Sequence, residues 1–536
     1  MLIQKKNIMK KINKLWQGIS DYISRNPSEI IFGTYFLLVM AVSAYAASST
    51  SIFSKNFIAV FILYTVFSLV PRIHRGIQKV SFDPCLNVSK KKKLCVFGIA
   101  SLSCYIVLII CFIANYPGSF PGDSLGQYKQ AMTGVYNDWH PVWHTLLIFT
   151  LPLKLTNGWI GSIVFFQIVY FSLLIGYMAV TIYKYAGKCY AFISVAFILL
   201  SPFTLEIVMY PWKDVAFAIA SGFCMLYAIN IYFTNGEWGN KFYRIVLLAF
   251  MLASATLFRH NGVLFSFFLL VALFFFLQKR KWLLLVVSTA FIFAFVKFPV
   301  YTYFKVEKPP YRVMETTGLP LSVILNVAKE CPDRVNEHTI EFVSKMMSVQ
   351  PDWKKYHNIS GLNSVKYRKF DYDAIENEGV KNILVMMFHC FSVAPKQSIM
   401  ALYGLTTPVY SLEHSCVSGS GIQENDVGIV YTGNKRLLDI ENKYLYGIII
   451  KTPLRFVFAC LGSTILIMLA FILFKSNLKN MDDWKRIFLC LPIFTYNFGT
   501  MLFLSGNDAR FFYVSFIICP LVVLIMCGKR ESYDGI

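Results

Sequence analysis

Long apolar runs recur along almost the whole chain, and they constrain the fold more than any other feature. They lie near residues 30–48, 56–71, 94–115, 158–182, 189–204, 213–232, 244–258, 262–278, 282–300, 453–474, 487–504 and 511–527. Several reach about 18 residues or more, enough to cross a hydrocarbon core ~30 Å thick. Inside lipid every backbone N–H and C=O needs an internal partner, so a spanning segment is a helix or part of a closed barrel. No run alternates apolar and polar residues as a barrel strand does. The chain therefore reads as an all-α polytopic membrane protein with about 12 transmembrane helices. Composition agrees: 56% of residues are hydrophobic and 15% charged, against about 25% charged in soluble domains.

The net charge is +22, and its distribution decides what it means. Residues 302–452 carry 17 Lys/Arg and 16 Asp/Glu, which leaves 34 against 13 elsewhere. The excess sits in the termini and short loops, which is the positive-inside pattern. A nucleic-acid partner calls for a basic face on a folded domain, and none is visible.

The same rule orients the chain. The Lys5–Lys14 cluster, the basic stretch 72–93, "QKRK" at 278–281 and "KR" at 529–530 all fall on one side if there are twelve spans. That side is taken as cytoplasmic, with both termini on it. The N-terminal run then reads as an uncleaved first span rather than a signal peptide. Three parts follow: a transmembrane module over 1–300 with an external loop at 116–157, a mixed external loop domain over 301–452, and a transmembrane module over 453–536. An interfacial helix near 146–155 returns the first loop to the membrane. The 13 cysteines show no metal spacing. Most lie in apolar runs as small hydrophobes, and a Cys331–Cys416 bridge is one option for an oxidising side.

Polar chemistry gathers at the external mouths of the spans. Asp123 follows a Pro-Gly turn; it, or Ser124, can serve as the N-cap of a helix that also carries Gln127. "DWHP" sets Asp138 two residues before His140, and His144 lies one helical turn further on. Two His at i, i+4 is a metal-compatible spacing, but it lacks the intervening Glu of a zinc hydrolase, and an interfacial anchor is the plainer reading. "EIVMYPWKD" carries Glu206, Lys213 and Asp214. Lys213 is placed either to snorkel or to hold a phosphate. "FRHNG" puts Arg259 and His260 in a short external turn, where Arg is disfavoured unless it meets an anion. "GNDAR" repeats this with Arg510.

Taken with Tyr116–Pro117–Gly118, Asp123, Gln127, Trp139–His140–Pro141, Lys213–Asp214 and Arg259–His260–Asn261–Gly262, the layout resembles the GT-C class of integral-membrane glycosyltransferases. Within that class it resembles an uncharacterised Gram-positive membrane family related to protein O-mannosyltransferases and aminoarabinose lipid A transferases. The resemblance implies inverting transfer of a hexose or pentose from a polyprenyl-phosphate-linked donor to an envelope glycan, lipid or protein, on the external face of a bacterial plasma membrane. It implies Asp123 as base, and Gln127, Asp138, His140, Lys213, Asp214, Arg259, His260 and Arg510 as substrate-binding groups. No cofactor is expected. The Asp-Asp or Glu-x-Asp pair of some members is absent from the first loop, so a divalent metal finds no support. Two other readings stay open: a transporter or flippase for a lipid-linked sugar, and a glycan polymerase or ligase using pyrophosphate carriers.

Overall fold

The computed structural model describes residues 17, 26–47, 68–308, 312–349, 370–406, 421–477, 479–503 and 509–529. Among these the regular structure is helical, with one isolated parallel bridge between Asn137 and Glu307. In chain order the helices used below are α1 (Pro27–Ala47), α2 (68–79), α3 (Lys90–Ala114), α4 (Gly122–Thr133), α5 (Val142–Leu155), α6 (Ser162–Leu200), α7 (Lys213–Phe233), α8 (Phe242–Phe258), α9 (Gly262–Leu273) and α10 (Lys279–Tyr303). After these come α11 (Gly318–Glu330), α12 (Glu337–Met346), α13 (Tyr372–Val393), α14 (Pro395–Thr406), α15 (Lys435–Asn442), α16 (Leu461–Lys475), α17 (Met481–Phe503) and α18 (Tyr513–Cys527). The protein is an all-α polytopic membrane protein. Among the described residues five helices are long and apolar enough to cross a bilayer: α3, α6, α7, α10 and Arg510–Cys527; α5, α8, α9 and α16 are shorter apolar helices.

The sequence explains why these helices start and stop where they do. Ser89 accepts a hydrogen bond from Lys92 N and caps α3. Four lysines then fill its first turn, where the helix dipole disfavours cations. Side preference across the membrane accounts for them better than helix stability does. The expected spans 158–182 and 189–204 correspond to the two helical halves of α6, which meet at a kink at Gly187. There φ is 86° and ψ 177°, and an added Cβ would lie 2.4 Å from Asp83 O. Glycine alone tolerates both demands.

Burial sorts the helices into centre and rim. The apolar windows of α7 and the Arg510–Cys527 segment are 89% and 83% buried, against 28% for α3 and 17% for α10. A helix apolar all round and buried belongs at the centre of a bundle, so α7 and α18 form the axis, packed on each other, with α3 and α10 at the rim. Around them α3 packs on α6, α8 on α7 and α10, α9 on α17, and α16 on α18.

A second core lies outside this bundle. Leu321, Ile324 and Leu325 of α11 join Phe342 and Val343 of α12, Ile375, Ile383 and Met386 of α13, and Ala401 of α14. The remainder of the 301–452 region goes elsewhere. Ile429, Leu445 and Ile449 belong to the bundle core. The strand-like segment before α15 is bonded to the first loop, through Gln423 N to Phe120 O at 3.1 Å, Thr432 N to Tyr116 O at 3.0 Å and Asn434 N to Ile113 O at 2.9 Å. Cys416 lies outside the described residues.

Candidate active site

Three backbone elements bring the polar residues together. The first is α4. Its N-cap is Pro121, not Asp123 or Ser124; Pro121 is extended at φ −71° and ψ 173°, with no side-chain cap. Asp123 therefore stands in the first turn, where the helix dipole favours an acid, and its side chain is 43% exposed. The second is the N-terminus of α7, which begins at Lys213 after the extended Trp212. The third is the turn of 3-10 helix that carries Arg510 into α18.

Asp123 sits between two basic side chains. Arg510 Nη1 lies 3.3 Å from Asp123 Oδ2, and His140 Nε2 lies 3.8 Å from Asp123 Oδ1. On the far side of the imidazole, Lys213 Nζ stands 3.5 Å from His140 Nδ1. The four residues form a row: Arg510, Asp123, His140, Lys213. Burial of the imidazole, with Lys213 next to it, pushes the His140 pKa down to about 3, against a smaller upward pull from Asp123. His140 is therefore neutral at ordinary pH. With Nδ1 facing an ammonium it accepts there, which leaves the proton on Nε2, directed at the carboxylate.

Arg510 is held from its other side. Its guanidinium lies 4.6 Å from the Trp212 ring and 5.0 Å from the Phe511 ring. Trp212 is stacked on Tyr210 at 4.1 Å and 18°. Two aromatic rings at these distances hold the guanidinium by cation–π contact.

The other expected residues have different settings. Arg259 and Asp214 form an ion pair in which both side chains are almost fully buried. Arg259 Nε also donates to Asn261 Oδ1 at 3.0 Å, and Asn261 Nδ2 donates to Thr500 Oγ1 at 2.7 Å. The Arg259 guanidinium lies 5.1 Å from the Phe511 ring, which is also 5.0 Å from Arg510. Asp138 accepts from Lys297 Nζ at 2.9 Å and from Tyr301 Oη at 2.6 Å, and Asp138 N donates to Glu307 O at 3.0 Å. Gln127 is buried and donates from Nε2 to His144 Nδ1 at 3.0 Å and Thr145 Oγ1 at 3.1 Å, tying α4 to α5. His144 is fully buried, edge-on to Phe149 and Phe258. His260 is exposed beside this cluster. Glu206 is buried in a short helix, Pro202–Ile207.

Sequence reading missed Trp212 and Tyr210 as the platform under Arg510, and Lys297 and Tyr301 as the partners of Asp138. A signal existed for Lys297. It is a lone cation in the apolar run "FAFVKFPV", and an ionisable residue inside a span is a functional candidate by default.

No family model matches the chain, and no curated protein matches it. Two solved structures are similar in their course. One is the Archaeoglobus fulgidus oligosaccharyltransferase in its apo form, at 12% identity and a TM-score of 0.35, covering 79% of this chain and 50% of that one. This chain thus spans half the length of the archaeal protein. The other is ArnT from Cupriavidus metallidurans bound to undecaprenyl phosphate, at 10% identity and a TM-score of 0.29, covering 82% of this chain and 77% of that one. At such identities the chemistry of the site is read from the residues of this chain.

Proposed function

We propose that the protein is an inverting membrane glycosyltransferase that moves a hexose or pentose from a polyprenyl-phosphate carrier to a hydroxyl of an envelope glycan, lipid or protein, on the external face. The carrying observation is the row Arg510, Asp123, His140, Lys213 at the mouths of α4, α7 and α18. It sets a part-exposed carboxylate among cations. That is the arrangement needed to take a proton and to receive a phosphate leaving group within one site.

In this reading Asp123 accepts the proton of the acceptor hydroxyl. The hydroxyl oxygen attacks the anomeric carbon from the face opposite the phosphate. The bond from that carbon to the phosphate oxygen breaks, the electron pair leaves with the polyprenyl phosphate, and the anomeric configuration inverts. Arg510 and Lys213 carry the charge that develops on the phosphate. Neutral His140 orients Asp123 without neutralising it. Arg259 is committed to Asp214, so its part is to hold the α8–α9 turn against α7 and to back the Phe511 ring. Two side-chain cations serve the phosphate, so transfer is expected to survive EDTA.

The test is in vitro transfer from a polyprenyl-phosphate sugar to a crude envelope acceptor by purified protein in nanodiscs. Wild-type protein is expected to transfer and Asp123→Asn is not. Equal transfer by the two proteins would remove Asp123 as the base.

A further inference from the structure

We propose that the second half of α13 is a lipid-docking surface that lays the outer domain on the bilayer. The proposal is independent of the reaction at Asp123.

Gly379 divides α13 into two chemically distinct halves. Its φ of 77° and ψ of 157° break the helix. Before the break stand Asp371, Asp373, Glu376 and Glu378; from 379 to 412 there is no Asp or Glu. After the break Ile383, Met386 and Cys390 turn inward and are almost completely buried in the second core. The opposite face is largely apolar, with Lys381, Asn382 and Ser392 also exposed. Val380, Leu384, Val385 and Phe388 are 40%, 37%, 61% and 66% exposed. A helix covering a water-facing domain keeps its outer face polar, and a contiguous exposed apolar stripe marks an interaction surface.

Three observations select the bilayer as the occupant. First, α14, which follows directly, packs against α1, the first apolar helix of the bundle, and α11 contacts α17. The outer domain therefore already sits on the membrane helices, and the stripe continues an existing lipid boundary. Second, the charges on this half are Lys381 and, just beyond it in α14, Lys396, both exposed. That sign suits anionic headgroups. Third, Val380–Val393 is too short to span. Fourteen helical residues reach about 21 Å, less than the ~30 Å core. An acid-free amphipathic helix of this length lies in the interface plane with its apolar face sunk into the headgroup boundary. The acids before Gly379 remain in water.

The experiment photolabels full-length protein in anionic nanodiscs, with a diazirine-bearing phospholipid in one arm and a water-soluble diazirine in the other, and maps the label by peptide mass spectrometry. Lipid label on 380–393 as strong as on the rim helix α10, with little on 371–378, is expected. The double variant Val385→Ser, Phe388→Ser is expected to lose that label while α10 keeps its own. Label from the soluble reagent, with none from the lipid, would overturn the proposal. So would protection of 380–393 from both reagents together with a crosslink from that segment to a second copy under a bifunctional reagent, which would assign the face to a dimer instead.

Discussion

Arg510 Nη1 stands 3.3 Å from Asp123 Oδ2 although 387 residues separate the two in the chain. The contact is longer than an optimal charge-assisted hydrogen bond, and the Asp123 side chain is 43% exposed. The arginine steadies the carboxylate without burying it. The other oxygen, which takes the acceptor's proton in the proposed reaction, lies 3.8 Å from His140 Nε2.

Asp123→Asn should lower kcat by about 10²- to 10⁴-fold, the usual worth of a positioned general base. KM for the donor should change little, because Asn keeps the shape and the proposed phosphate cations remain. Steady-state transfer assays with varied donor concentration check this.

Arg510→Met should cost about 10²- to 10³-fold in kcat if the guanidinium bears leaving-group charge. Trp212→Leu should produce a weaker form of the same defect, since it removes the face on which Arg510 rests. Trp212→Phe should restore most of the activity. The same transfer assay reads all three, and a loss in Trp212→Leu that Phe does not repair would point to a purely structural role for the indole.

Asp214→Asn leaves the buried Arg259 without its counter-charge and should destabilise by about 3–5 kcal/mol. The double variant Asp214→Asn, Arg259→Met should lose less than the single one, because no uncompensated charge remains. Thermal unfolding in detergent followed by a fluorescent thiol probe gives both numbers.

His140 and Glu441 predict opposite pH trends. His140 has a folded pKa of about 3, below its ordinary 6.5. The unfolded chain binds its proton first, so the stability this residue contributes is complete above about 6.5 and is lost as pH falls toward 3. Burial raises Glu441 from 4.5 to about 7, partly offset by its hydrogen bonds to Asn115 and Cys111; Asn115 donates to it at 2.7 Å. Its contribution is complete below about 4.5 and is lost as pH rises through 7. His140→Gln should therefore flatten the acid side of the thermal midpoint profile between about 6.5 and 3, and Glu441→Gln the fall in stability between about 4.5 and 7.

The spans were legible because lipid forces an unbroken apolar helix, and a run such as 94–115 can be little else. Topology then put Asp123, His140, Lys213 and Arg510 on one side, where the structure has them in a row. Pairings among them were not legible. Nothing in local periodicity says that Asp138 is satisfied by Lys297 and Tyr301, or that Arg259 is held by Asp214. Gln127 lay in the right loop, yet it points into the protein to join α4 to α5. Spacing gives the helix but not which of its faces is covered, because covering depends on elements far away in sequence. The exposed stripe on α13 was hidden for the same reason, since an apolar helix inside a mixed region looks like core until its neighbours are in place.

The row is closed by a contact between Asp123 and Arg510, residues 387 positions apart in the chain. A ribosome making this chain has long since delivered Asp123 to the membrane when Arg510 emerges. Until α18 inserts, Asp123 lacks its Arg510 partner, and α7 lacks the helix that closes the axis of the bundle. If the row carries the proposed transfer, a chain cut short before α18 is expected to lack it altogether instead of working at a reduced rate.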